Sequence, residues 1–311
     1  MNKKQAKVSI IGSGNVGANA ALLTALSGFA DVVMIDIAEG LAAGKALDIS
    51  QALAILGVET KVEGYSHYAY AVDSGVVVIT AGLARQPGMS RRDLLHKNTA
   101  IMKSVIAQIK KYAPEAIIIV VTNPLDAMTY LAWRETRFPP ERVMGMGGLL
   151  DSGRFAYFLS EAAHSGRSEV DALVIGAHGD EMVPLSRLAA AGNSFFEQTL
   201  GADGVAAAAE RTRGGGAEIV GLLKTGSAAY GPGAAISLMV KSIVDDEKRV
   251  FSTCCMVRGE YGQSDIYLNL PAVIGASGVE RIVELELNEA EREALAASAS
   301  SVRAMLAELK Y

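Results

Sequence analysis

Residues 116–121, AIIIVV, constrain the fold more than any other stretch: six apolar side chains in a row, then the break Thr122-Asn123-Pro124. The run is far too short to cross a membrane. A strand with no polar alternation is buried on both faces, which is the habit of parallel strands covered by helices. Similar runs stand at residues 7–11, 31–37 and 76–80, with a shorter strand expected at 61–65. Helical patterns lie between them, from the glycines at 12–17 to Leu26, over 44–54 and over 93–112. In the last, Leu94, Ile101, Val105 and Ile109 recur near helical spacing. Strands alternating with helices predict an α/β fold with a doubly wound parallel sheet.

At 311 residues the chain is long for one core, and its texture changes at the glycine-rich segment 144–148. We therefore expect a Rossmann-type doubly wound domain over 1–145 and a second, α+β domain over 146–311. In the second half, strands are expected at 171–177, 248–256 and 267–274, and helices at 155–163, 202–220, 234–244 and 289–310. The run Gly214 to Gly216 is expected to loosen a helix start.

The first apolar run feeds Gly12-Ser13-Gly14-Asn15-Val16-Gly17. Gly12 permits a tight turn, Gly14 lets backbone approach a pyrophosphate, and Gly17 allows close helix packing, with the helix N-terminus facing the anion. The second strand ends at Asp36, 19 positions after Gly17. A carboxylate there accepts hydrogen bonds from both ribose hydroxyls of an adenosine and repels a 2′-phosphate. The expected cofactor is NAD rather than NADP.

The net charge is −5, from 29 Lys and Arg against 34 Asp and Glu, so no global basic field suggests nucleic acid or an anionic membrane. Any anion site must be local. The loop after Thr80 supplies one, carrying Arg85, Arg91 and Arg92 among Gly82, Pro87 and Gly88. The cysteines, Cys254 and Cys255, are neighbours without zinc-ligand spacing, and we expect packing residues in a reducing, cytoplasmic setting and no metal. The N-terminal segment lacks a small-residue cleavage site and reads as a first strand.

Polar residues gather where apolar runs end. Asn98 lies in the first turns of the third long helix, and Asn123 at the carboxyl end of residues 116–121, where ligands of such sheets bind. Asp151 and Arg154, three apart, share one helix face. His178 alone of four histidines sits between small residues, in GAHGD, after an apolar run; His67, His96 and His164 read as solvated. Gly226 and Ser227 are small where a pocket wall needs room.

GSGNVG, TAGLARQPGMSRRDLL, VTNPLD, LLDSGRF, GAHGDEMVPL and LLKTGSA together resemble the lactate and malate dehydrogenase family over nearly the full length, and within it the lactate-dehydrogenase-like malate dehydrogenases. The resemblance implies NAD-dependent hydride transfer between (S)-malate and oxaloacetate, by a homodimer or homotetramer. It implies His178 as general acid/base, Asp151 as its carboxylate partner, Arg154 on the substrate's C1 carboxylate and Arg91 on the reacting carbonyl. Arg85 stands where lactate enzymes typically carry glutamine, and matches the arginine that pairs with a second carboxylate. Gly226 stands where they carry a bulkier threonine. Cofactor contacts carry over to residues 12–17, Asp36, Asn98, Val121, Thr122 and Asn123, with Asn123 also reaching substrate. Ser74-Gly75 departs from the family's usual aspartate and is expected to loosen the strand that follows; Asn193 to Phe196 fits no pattern. A lactate or other 2-hydroxyacid dehydrogenase, and a dinucleotide-binding protein without turnover, remain alternatives.

Overall fold

The computed structural model describes residues 6–83 and 91–309, with Arg91 described by its backbone alone. Arg85, on which dicarboxylate selectivity was expected to turn, lies outside the described residues, as does the Arg91 side chain. Among the described residues no helix is long and apolar enough to cross a membrane.

The N-terminal strands are β1 (Ala6–Ile11), β2 (Ala30–Ile35), β3 (Val62–Tyr65), β4 (Val76–Ile79), β5 (Ile117–Val120) and β6 (Val143–Gly145). They pair in parallel in the order β3-β2-β1-β4-β5-β6, so the direction of winding reverses between β1 and β4. Ligand crevices of open α/β sheets form at such a reversal, outside the carboxyl ends of the strands. The covering helices are α1 (Asn15–Leu26), α2 (Leu41–Ile55), α3 (Arg91–Tyr112) and α4 (Leu125–Thr136). The sequence reading did not anticipate α4 or the three-residue β6. A helix that follows Pro124 directly has an apolar buried face from Leu125 to Ala132 but no N-terminal capping side chain to announce it.

Ser74-Gly75 does not loosen β4. Ser9 Oγ and Ser74 Oγ share a buried hydrogen bond of 2.7 Å, and the Gly75 N–H donates to the Lys7 carbonyl. Two hydroxyls satisfy each other where a carboxylate was expected.

The second half contains α5 (Gly148–Ala163), β7 (Val170–Asp171), β8 (Val174–Gly176), β9 (Met182–Pro184), β10 (Ala190–Ala191) and β11 (Ser194–Phe195). These are followed by α6 (Phe196–Leu223), α7 (Tyr230–Val244), β12 (Arg249–Arg258), β13 (Ser264–Gly275), β14 (Gly278–Ile282) and α8 (Glu289–Ala307). The antiparallel ribbon β12–β13 joins β6 on one side and β8 on the other, so one sheet runs through both halves. The strand expected over 171–177 is two strands: β7 pairs with β10 in a separate small sheet, while β8 enters the main one.

The glycine run corrects a second expectation. Gly214 to Gly216 sit inside α6, whose break is instead at Gly201, with φ 69°. A Cβ on Gly215 would touch Arg154 Cδ at 3.5 Å, and one on Gly216 would stand 3.7 Å from both Arg154 Nη atoms. The helix tolerates poor helix formers there because it packs against α5 at Arg154. Asn193 to Phe196 also gains an account: Gly192 turns a short β10–β11 hairpin, and Phe196 then plugs a core with Phe155, Leu159 and Met182. Burying such a ring contributes about 1.5–3 kcal/mol.

His67 is not merely solvated: its ring nitrogen accepts the Ala69 N–H at 3.0 Å and its ring lies edge-on to Tyr112.

Candidate active site

The glycine loop lies at the β1/β4 reversal. Gly12 has φ +101°, and a Cβ there would stand 2.6 Å from the Ala81 nitrogen. A Cβ on Gly17 would run into the Gly12 carbonyl oxygen. Thr80 Oγ1 donates to that same carbonyl at 2.8 Å, tying β4 to the loop. Gly14 differs, with no atom of the described residues within 4 Å of a Cβ position. The N-terminus of α1 has no capping side chain and no acid in its first turn. Its first amides and their partial positive charge are therefore available to an anion. Ser13 Oγ, buried without a hydrogen-bond partner among the described residues, adds a polar atom at the same point.

Asp36 directly follows β2, beside this loop. Its Oδ2 accepts the Ser13 N–H at 2.6 Å and its Oδ1 the Ala38 N–H at 2.9 Å, which orients the carboxylate. Open space at Gly14, uncapped helix amides and an oriented carboxylate fit a dinucleotide with free ribose hydroxyls.

Asn98 is fully buried, and its side chain is committed to protein. Its Oδ1 accepts the Leu83 N–H at 2.8 Å, while its Nδ2 donates to the carbonyls of Leu83 and Asn123 at 3.1 and 2.6 Å. In this structure it acts on the crevice by holding the chain after β4 against the chain after β5. Thr122 Oγ1 reinforces the same junction by donating to Ala81 at 2.7 Å, and the Val121 N–H donates to Ile79. Asn123 is exposed at the mouth of β5.

Across the crevice stands His178. Its Nδ1 lies 2.6 Å from Asp151 Oδ2, and Arg154 Nη1 donates to the other oxygen at 3.2 Å. The spacing of Asp151 and Arg154 on α5 thus serves a buried junction rather than a surface pair: the Asp151 side chain is 1% exposed, those of His178 and Arg154 16%. Burial opposes a charge on the ring, but Asp151 beside it and Asp126 beyond outweigh burial and the repulsion of Arg154, so the His178 pKa is raised.

The loop that carries His178 is fastened from beneath. The His178 N–H donates to Asp126 Oδ2 at 3.0 Å, and the Ala177 N–H to Ser298 Oγ at 2.8 Å. Asn269 Nδ2 donates to the Gly176 carbonyl at 2.9 Å and its Oδ1 accepts the Gly148 N–H at 2.6 Å. A Cβ on Gly147 would stand 3.0 Å from His178 Cγ, so the glycine-rich segment is what lets α5 reach the histidine. Sequence patterns single out none of Asp126, Asn269 and Ser298, and offer Cys254 as a packing residue, whereas its thiol donates to Asp126. The one available signal was Asp126, three residues after Asn123 in VTNPLD.

Gly226 lies between α6 and α7 with φ +95° and none of the described residues near its Cβ position, so its backbone by itself favours glycine.

Residues 6–145 match the family model for the lactate/malate dehydrogenase NAD binding domain, and residues 149–310 that for the lactate/malate dehydrogenase alpha/beta C-terminal domain. The chain belongs to the lactate/malate dehydrogenase family. A malate dehydrogenase of Shouchella clausii is 46% identical over 308 residues, 98% of either chain. Malate dehydrogenase of Cryptosporidium parvum superposes with a TM-score of 0.95 at 39% identity, covering 98% of this chain and 99% of that one. Lactate dehydrogenase of the same organism, complexed with lactic acid and nicotinamide adenine dinucleotide, gives 0.95 at 36% identity, covering 98% of both. Both kinds of lactate/malate dehydrogenase thus share this backbone, so the choice of 2-hydroxy acid rests on side chains.

Proposed function

We propose that the chain is an NAD-dependent malate dehydrogenase interconverting (S)-malate and oxaloacetate, with His178 as general acid/base. One observation carries this reading: the His178 ring is anchored through Nδ1 to a buried carboxylate that also holds Arg154. With Nδ1 committed, the ring presents Nε2 to substrate. On oxidation His178 takes the hydroxyl proton there, and Asp151 stabilises the resulting imidazolium. A charge-assisted hydrogen bond of this kind contributes about 1.5–3 kcal/mol. Arg154, partly neutralised by Asp151, keeps donors for a substrate carboxylate, which a planar guanidinium grips with two parallel bonds. NAD, when bound, supplies the hydride acceptor on oxidation and the hydride on reduction. Residues 12–17 and Asp36 are assigned to its diphosphate and ribose, and residues 121–123 to its other half, with Asn98 holding that wall of the crevice from beneath. Arg91 is assigned to the reacting carbonyl and Asn123 to both ligands.

Malate is favoured over lactate by Arg85, whose charge a methyl-bearing substrate would leave unpaired, and by the malate dehydrogenases among the relatives. Gly226 leaves room for the second carboxylate. The test is NADH oxidation with oxaloacetate and pyruvate side by side, in the wild type and in Arg85→Gln. The variant is expected to lose oxaloacetate turnover by about 10²-fold or more while pyruvate gains relatively. Equal loss on both substrates would remove Arg85 from the argument, and NADH binding without turnover of any 2-oxoacid would remove the enzyme.

We assign residues 1–145 to cofactor and 146–311 to substrate. Assembly into a homodimer or homotetramer is supported by the exposed apolar residues of α2 and its flanks, Ile37, Leu47, Ile55 and Leu56. Two buried free cysteines support a cytoplasmic setting.

A further inference from the structure

Asp126 is the buried acid that the reaction scheme leaves without a task. It sits in the first turn of α4, 3% exposed, and both its oxygens are engaged. Oδ2 accepts the His178 main-chain N–H at 3.0 Å. Oδ1 accepts the Cys254 thiol at 3.4 Å and Asn269 Nδ2 at 3.3 Å. These donors lie 52, 128 and 143 residues away in sequence. Strand register brings them together: Gly145 pairs with Cys254, Cys254 with Asn269, and Asn269 with Gly176, in one row across β6, β12, β13 and β8. Asp126 caps that row where the parallel sheet meets the antiparallel ribbon, and His178 follows the row's last member by two residues.

All three donors are neutral. Donors on both oxygens call for a carboxylate, since an amide would turn its own N–H toward one of them, and the buried charge that meets this demand also acts on the imidazole beside it. We propose that Asp126 is a positioning residue for the dehydrogenase reaction, fixing the His178 main chain against the sheet junction and adding a second negative charge to that of Asp151 near the imidazole. The inference rests on His178 being the general acid/base.

Among the described residues the titratable groups bearing on Asp126 are His178 and the Cys254 thiol, while Asp151 and Arg154 bear on the same imidazole from its other side. Burial pushes the Asp126 carboxyl up to about 6, against the opposing pull of His178, its main-chain N–H and the Cys254 thiol. At neutral pH it is therefore mainly the anion. Burial, then the Asp126 charge, hold the Cys254 thiol well above its usual range, so that thiol stays protonated as a donor.

The experiment follows the His178 ring by NMR in protein labelled at histidine carbon, assigned with His178→Asn, beside the pH dependence of oxaloacetate reduction. Wild type, Asp126→Asn and Cys254→Ala are compared. Asp126→Asn is expected to move the His178 midpoint down by about half a pH unit or more. Its kcat on the alkaline side should fall several-fold, with KM for oxaloacetate and Kd for NADH within about twofold. Cys254→Ala, which removes one donor and so leaves less of the anion, should move the midpoint the same way by less. A folded Asp126→Asn protein with an unmoved midpoint overturns the proposal. Should that variant not fold, an unmoved midpoint in Cys254→Ala overturns it instead. A ring that shifts while the kinetic limb stays put leaves the placement of Asp126 intact and refutes His178 as the acid/base.

Discussion

Two alanine substitutions in the glycine loop separate its role in folding from its role in binding. Gly14 has φ −64° and ψ −171°, an extended conformation open to any residue, and none of the described residues lies within 4 Å of its Cβ position. Gly14→Ala therefore fits the free protein. By restricting the unfolded chain it should stabilise by about 0.4–1 kcal/mol, a rise in Tm of roughly 1–3 °C. The new methyl occupies the space a diphosphate would use, separating it from the amides at the start of α1. Losing one or two charge-assisted hydrogen bonds, at about 1.5–3 kcal/mol each, weakens NADH at least about tenfold. Gly17→Ala should behave oppositely at the level of the fold. Its Cβ collides with the Gly12 carbonyl and stands 2.9 Å from Thr80 Oγ1, and backbone cannot yield as a side-chain tip can. That places its cost at or above the upper end of the usual 1–3 kcal/mol for overpacking. Thermal melts and NADH fluorescence titrations on the two proteins are the assay. A Gly14→Ala protein that melts like the wild type and binds NADH equally well would show that the dinucleotide does not use this cradle.

Asp151→Asn removes what holds the His178 pKa up against burial and Arg154, so that pKa falls. Reduction needs the protonated ring, so activity is present below its folded pKa and lost as pH rises through it; the variant should lose activity at lower pH. We expect kcat for oxaloacetate to drop about 10²–10⁴-fold, and a limb left at the wild-type pH would refute the pairing. The same sign governs stability: a raised folded pKa contributes stability below the unfolded value of about 6.5 that disappears as pH rises through the folded one, so the stability advantage over the variant should narrow in alkali. Asp36→Ser deletes the carboxylate held by the Ser13 and Ala38 amides and should raise the NADPH to NADH efficiency ratio about tenfold or more. Comparable wild-type efficiency with both cofactors would remove Asp36 from selectivity.

Short-range signals carried most of the N-terminal architecture. Residues 116–121 are apolar throughout and form the buried β5, and GSGNVG between strand and helix forms the loop at the β1/β4 reversal. Asp151 and Arg154 were legible as a pair because three residues is nearly one helical turn. Where the reading failed, the deciding contact was distant. Gly214 to Gly216 look like a helix breaker until Arg154 is packed on Gly215 and Gly216, and residues 171–177 read as one strand until β10 and β13 claim different halves.

By itself the sequence determined the alternation of strand and helix, the chemical types available at each strand end, and the absence of any charge field suited to polyanions. Tertiary structure decided what those types do. It put His178 and Asp151, 27 residues apart, within 2.6 Å, and it placed Asp126 under the histidine through donors from distant strands. The physical reason is that propensity and periodicity act over a few residues, whereas a pKa and a hydrogen-bond partner depend on whatever the folded sheet brings alongside.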